Sequence, residues 1–275
     1  MLRMTLLTII GALALFYIGV CSLLYFMQER LLFFPSPVTA YPTHPAIETV
    51  SLDSGALQLK GWVINKDSEG PLLVYFGGNG EELSQSTSHF VSLPATSILF
   101  NYRGYGDSEG KPSQIGMFAD AEAVVDFARA GYGKDRPLLV FGRSLGSVIA
   151  VHTAAEKHPD ALILMSPFRS VADVATVRYR WIPSSTIRWM LRHPFDVAKA
   201  IDELPSRTLI IRADVDRVIP PKETDLFIDR LNTAPDIARY VGEHSESLSH
   251  PDIWQPLHAF VENTQGNTPG PYPPR

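Results

Sequence analysis

LLVFGRSLGSVIA, residues 138–150, decides how the chain is read. The strand-like stretch LLVF enters the small-residue turn Gly142-Arg143-Ser144-Leu145-Gly146, and apolar residues then recur every three or four, as in a helix. A serine between two glycines where a strand becomes a helix has two explanations. It is ordinary turn punctuation, or it is a nucleophile lifted above a sheet on a strained corner. The second needs glycine two residues to either side, because side chains there would collide in so tight a turn. The amides opening the helix then lie close to where a reacting carbonyl oxygen gathers negative charge.

Outward from this corner, strand-like runs at Leu57–Val63, Leu72–Phe76, Ser97–Phe100, Leu138–Phe141, Ala161–Met165 and Thr208–Arg212 alternate with helical patterns. The helical patterns cover Phe118–Arg129, Ser147–Lys157 and Lys222–Leu231. Such alternation predicts a mostly parallel sheet with helices on both faces. The first two runs, Leu57–Val63 and Leu72–Phe76, are expected to form an edge hairpin. The chain has 275 residues, 45% apolar and 19% charged, with net charge −5. That is core enough for one domain of roughly 240 residues behind the N-terminal segment. The mild acidity gives no basis for nucleic acid as a partner. A single cysteine, Cys21, rules out an intrachain disulfide or a cysteine metal cluster.

Thr5 to Met27, TLLTIIGALALFYIGVCSLLYFM, carries no charge. As a helix rising ~1.5 Å per residue it covers about 34 Å, enough for a hydrocarbon core of roughly 30 Å. A cleaved signal peptide has a shorter apolar region, and no A-x-A pattern stands here. Val20 before Cys21 is bulky for a lipoprotein acceptor. Residues 1–30 are therefore read as an uncleaved transmembrane anchor and 31–47 as a proline-rich connector. Residues 48–263 form the main domain and 264–275 a disordered polar tail. Arg3 precedes the run, while Glu29 and Arg30 cancel after it. The positive-inside rule then leaves the N-terminus cytoplasmic and the main domain extracytoplasmic, periplasmic in a bacterium.

A reacting serine also needs oxyanion donors, a base and an orienting acid. Leu72–Phe76 ends in GGNGE, residues 77–81. A glycine-rich loop there can aim one backbone N–H into the cavity, from Asn79 or Gly78 with Asn79 preferred, and Leu145 supplies the second. Phosphate binding is the competing use of such glycines, but neither G-x-G-x-x-G nor a Walker lysine is present, and the spacing after Gly104-Tyr105-Gly106 fails. In the order serine, acid, histidine, TLIIRADVDRVIPPKE offers Asp214 and Asp216, and GEHSESLSHPDIW offers His244 and His250. Spacing alone leaves both pairs open.

With these pieces in place the sequence resembles α/β-hydrolase-fold serine hydrolases, most closely a membrane-anchored branch with acyl-protein thioesterase-like and lysophospholipase-like members. The resemblance covers nearly the whole chain, including the anchor followed by QERLLFFPSP. Its most specific stretch is NYRGYGDSEGKPS, residues 101–113, and GRSLGS and MSPFRS also match. It implies an eight-stranded, mostly parallel sheet with a short cap insertion at about 168–200. It puts Ser144 on the nucleophile and Leu145 on the oxyanion donor after it. Asp216-Arg217-Val218-Ile219-Pro220 fits the acid followed by a hydrophobe–proline pair, and His244 after Gly242-Glu243 fits the base. The usual histidine–glycine before the oxyanion loop is Gly77-Gly78 here.

The expected chemistry is hydrolysis of an ester or thioester through an acyl-enzyme on Ser144, on a small-molecule or lipid-like acyl substrate, with no metal or organic cofactor implied. A serine at the corner argues against the aspartate-based dehalogenase and epoxide hydrolase chemistry of the same fold. Between Ser166 and Ala200, Tyr179, Trp181, Trp189 and Phe195 lie among Arg178, Arg180, Arg188 and Arg192. These are expected to form a lid facing lipid headgroups, or alternatively a cap core with a solvated basic face. A serine peptidase using the same residues and a non-catalytic membrane-tethered binding protein are the other classes considered.

Overall fold

A computed structural model of the chain describes residues 2–264. Its strands are β1 (Ile47–Ser54), β2 (Leu57–Ile64), β3 (Leu72–Phe76), β4 (Thr96–Phe100), β5 (Leu138–Arg143), β6 (Ala161–Met165), β7 (Thr208–Ala213) and β8 (Asp236–Tyr240). They form one sheet in the order β1-β2-β4-β3-β5-β6-β7-β8. β2 runs antiparallel to β1 and β4, and the remaining pairings are parallel. This is the α/β-hydrolase sheet.

The central strands are apolar throughout because both faces are covered. Leu72, Val74 and Phe76 of β3 and Leu138 and Val140 of β5 point into one core. Leu73, Tyr75, Leu139 and Phe141 point into the other. The helices are α1 (Leu2–Leu32), α2 (Gln114–Tyr132), α3 (Leu145–Lys157), α4 (Val171–Arg178), α5 (Ser184–Met190), α6 (Pro221–Ile228) and α7 (Trp254–Thr264). Met117, Val124, Val148 and Val151 of α2 and α3 cover the first core, and Leu257, Phe260 and Val261 of α7 cover the second.

The expected edge hairpin is corrected. Leu72–Phe76 is a fully buried central strand, parallel to β4 and β5. The hairpin partner of Leu57–Ile64 is β1, joined to it through Gly55, whose φ is +61°. IETVSLDS carries little strand signal because β1 is a half-exposed edge strand with a weak apolar pattern. β8 (DIARY) is likewise mostly exposed. At the other end α7 runs through Thr264, so the first residue of the expected tail is helical. The rest of that expected tail lies outside the described residues.

α4 and α5 form a cap between β6 and β7. Of its aromatics, Phe195 is completely buried, packing on Phe33 and Phe118, so it belongs to the core and not to a lid surface. Trp181 and Trp189 are exposed. The candidate membrane span, Arg3–Leu32, is one continuous helix that leaves most of its apolar side chains uncovered.

Candidate active site

Ser144 follows β5 as the residue capping the N-terminus of α3, with φ 52° and ψ −118°. A non-glycine residue rarely adopts such a backbone, and it persists only where the surroundings fix it. Here the fixing is steric. A Cβ on Gly142 would lie 2.2 Å from the Gly146 carbonyl oxygen, and one on Gly146 would lie 2.0 Å from that of Phe76. Only hydrogen fits at either position. The Ser144 amide is tied to Met165 O of β6 at 2.9 Å, and its side chain is nearly buried.

His244 and Asp216 come from loops after β8 and β7, so all three groups meet at the C-terminal ends of parallel strands, where crevices form in such sheets. His244 Nε2 lies 2.8 Å from Ser144 Oγ. His244 Nδ1 lies 2.6 Å from Asp216 Oδ2. The other carboxylate oxygen of Asp216 accepts from the Val218 amide at 2.9 Å and the Ile219 amide at 2.7 Å. Burial alone would raise this carboxyl's pKa. The His244 hydrogen bond and charge, with the amides of Ile219 and Val218, outweigh burial and hold it below the ordinary value. An ionised Asp216 can only accept from Nδ1, which leaves Nε2 as the acceptor for the Ser144 hydroxyl proton.

The two alternatives that spacing left open lie elsewhere. Asp214 is paired with Arg212, and its amide donates to Tyr240 O at 3.0 Å. The His250 ring lies 5.0 Å from that of Tyr240 at a tilt of 42° and accepts from the Asp252 amide. Neither is hydrogen-bonded to Ser144.

At the end of β3 the Gly78 amide donates to Glu81 Oε2 at 2.7 Å and is therefore occupied. The Asn79 side chain is occupied too: its amide nitrogen donates to Leu32 O, and its oxygen accepts from the Phe34 amide and the Tyr105 hydroxyl. Asn79 and Leu145 both line the cavity above Ser144.

Sequence reasoning passed over the brace behind this loop. Arg143 sits at the second position of the G-x-S-x-G turn, and one of its guanidinium nitrogens lies 2.8 Å from Glu81 Oε2. Another donates to His244 O at 2.9 Å. Burial alone would lower the Arg143 pKa, but the charge of Glu81 and the Tyr75 phenol outweigh it and raise it above the ordinary value. The glycine loop, the serine turn and the histidine loop are thus cross-linked by one buried ion pair. Its signal was in plain sight, as the charged residues of GGNGE and GRSLG. The NYRGYGDSEGKPS stretch is a second brace. Tyr102 OH donates to Gly77 O at 2.8 Å, and Arg103 grips Asp120 through two 2.7 Å contacts.

Above Ser144 opens an apolar cavity of about 320 Å³, within the range of roughly 300–1,000 Å³ typical of ligand sites. Phe168, Val174, Ile182 and Met190 form its cap side, and Val218 and Ile219 lie next to the Asp216 loop. Its described lining contains no carboxylate.

A family model described as serine aminopeptidase S33 matches residues 81–195. The uncharacterized protein Rv2307c of Mycobacterium tuberculosis is 33% identical over 224 residues, 78% of this chain and 79% of its own length. The α/β-hydrolase domain-containing protein WAV2 of Arabidopsis thaliana is 30% identical, covering 73% of this chain and 74% of its own. Lysophosphatidylserine lipase ABHD12 of Rattus norvegicus is 34% identical over 175 residues, 56% of this chain and 43% of its own length. Among solved structures, the Pyrococcus furiosus esterase Pf2001 superimposes with a TM-score of 0.68 at 15% identity, covering 85% of this chain and 98% of that one.

Proposed function

The chain belongs to the α/β-hydrolase family as a serine hydrolase acting on esters, and from that premise we propose that it is a membrane-anchored lipid esterase using Ser144, His244 and Asp216. The observation carrying this is the hydrogen-bonded series Ser144–His244–Asp216 beneath an apolar cavity. His244 takes the Ser144 proton as Oγ attacks the acyl carbonyl, and Asp216 fixes the imidazole tautomer and stabilises the imidazolium. The amides of Asn79 and Leu145 receive the oxyanion. Gly78 is the weaker candidate for the first donor, because its N–H is spent on Glu81. His244 then returns the proton to the leaving alcohol, and water attacking through the same base releases the acid.

A thioester would pass through the same steps, and the apolar lining favours an acyl group over a polar one. The name of ABHD12, a lysophosphatidylserine lipase, is consistent with a single-chain lipid substrate. A peptidase is favoured by the description of the family model. An aminopeptidase must hold a free ammonium group, and the cavity has no carboxylate among its described lining residues to pair with one. The anchor crosses the membrane once with Arg3 on the cytoplasmic side, so the site faces outward. A C-terminal reporter active only in the cytoplasm would reverse that orientation.

Purified full-length protein assayed on 4-nitrophenyl esters, an acyl thioester, a monoacyl phospholipid and aminoacyl anilides tests the substrate class. Ester cleavage lost in Ser144→Ala is the expected result. Anilide cleavage without ester cleavage would turn the assignment to a peptidase.

A further inference from the structure

The cavity over Ser144 is not closed by the main domain and cap alone. Leu24, Tyr25, Gln28, Leu31, Leu32 and Phe34 line it as well, five of them in the last turns of the candidate membrane helix and one just after it. Tyr17, Val20, Cys21, Leu24 and Gln28, which i,i+3 and i,i+4 spacings put on one face, are partly or fully covered on that helix, while Leu13, Phe16, Leu23 and Phe26 are exposed. A helix serving only as a tether has no reason to keep one face against the catalytic domain.

Specific contacts hold that face. Gln28, a buried amide, accepts from the Arg192 backbone N–H, just past α5, at 2.7 Å and donates to the carbonyl of Met190, the last residue of α5, at 3.2 Å. Arg192 lies over the Tyr25 ring at 4.6 Å and pairs with Glu29 at 3.2 Å. Trp181 meets Tyr17 edge-on at 6.1 Å. Just past the helix, Asn79 grips Leu32 O and the Phe34 amide, so the oxyanion loop and the helix end are directly bonded. The side chains that close the cavity therefore follow directly on those that face the bilayer. Exposed Trp181 and Trp189, beside arginines, are the composition that settles at a membrane surface.

We propose that the end of α1 is a wall of the acyl-binding cavity, and that Leu24 measures the chain of a single-chain lipid ester drawn from the adjoining leaflet. The proposal rests on the ester-hydrolase assignment above and adds the part of the substrate that the anchor reads. The cavity is near the small end of the usual range, which suits one acyl chain better than two.

The test uses the full-length protein in phosphatidylcholine nanodiscs, with Leu24→Trp, Leu24→Ala and, on the exposed face of the same helix, Leu23→Trp. Each is assayed on 4-nitrophenyl esters from acetate to palmitate and labelled with a small fluorophosphonate. Leu24→Trp is expected to lower the palmitate-to-acetate ratio of kcat/KM about tenfold or more, with fluorophosphonate labelling reporting that the Ser144 site still forms. Leu24→Ala should move the optimum toward longer chains, and Leu23→Trp should match the parent. Chain-length profiles that stay parallel in both Leu24 variants overturn the proposal, as do equal losses on acetate and palmitate in both. So does a Leu23→Trp profile that follows Leu24→Trp. If the parent protein neither labels nor cleaves any ester, the ester-hydrolase assignment itself falls, and this proposal with it.

Discussion

At the corner around Ser144 a single added methyl on Gly146 would sit 2.0 Å from a backbone oxygen, while across the cavity the cap is joined to α1 by a few side-chain contacts and carries exposed tryptophans. The corner is held by backbone sterics between β5, α3 and the end of β3, none of which can give way. The opposite wall is held by an amide bridge, an ion pair and ring contacts, each worth about 1 kcal/mol or so. Chemistry needs fixed geometry, whereas a cavity that admits a flexible chain needs a wall that can yield. The two sides of the cavity are built to those different demands.

The largest expected effect lies on the rigid side. Asp216→Asn keeps the shape of the loop but lets His244 adopt the wrong tautomer, and kcat should fall by about 10³–10⁴ while the protein still unfolds as one cooperative unit. Retained turnover would mean that Asp216 only shapes its loop. Next comes Gly146→Ala, expected to cost about 3 kcal/mol or more by thermal or denaturant unfolding, because the atom it meets is backbone. A tolerated alanine would show that the corner is looser than its geometry implies. On the yielding side Gln28→Ala strands the Arg192 N–H and the Met190 carbonyl, at about 1–3 kcal/mol. It should speed tryptic cutting within the cap while leaving acetate ester turnover near that of the parent. Equal protection would mean that the cap stands without the anchor.

The smallest effect concerns acid. The Asp216 carboxyl is held below its ordinary value in the folded chain, so its contribution to stability is fully present above the unfolded value of roughly 4. It is lost as pH falls through the lower folded value. In denaturant unfolding, Asp216→Asn should therefore flatten the decline of stability below about pH 4 and, above pH 5, lower stability by a constant amount with the same pH dependence as the parent.

How much of this was legible in the sequence follows the same division. The central strands were readable because burial on both faces makes them continuous apolar runs, as in Leu138–Phe141 and Ala161–Met165. The corner was readable because its steric demand is written as two glycines at fixed spacing from Ser144. β1 and β8 were not, since an edge strand with one wet face has little pattern to show. The edge hairpin went wrong for a related reason: Leu57–Val63 and Leu72–Phe76 are neighbours in the chain but are separated in the sheet by β4.

Asp214 against Asp216, and His244 against His250, lay beyond spacing. Each pair is only two or six residues apart on loops, and it is the turn at Val218-Ile219 that aims one carboxylate at one ring. Gln28 and Leu24 could not be found at all from sequence. An uncharged helix reads as a membrane span whichever of its faces is covered.

The most direct measurement is active-site labelling of the full-length protein with a fluorophosphonate, followed by peptide mapping. A single adduct on Ser144, absent in Ser144→Ala and strongly slowed in His244→Ala, is the expected result. A label that persists in Ser144→Ala, or that maps to another residue, would contradict the assignment of Ser144 as the nucleophile.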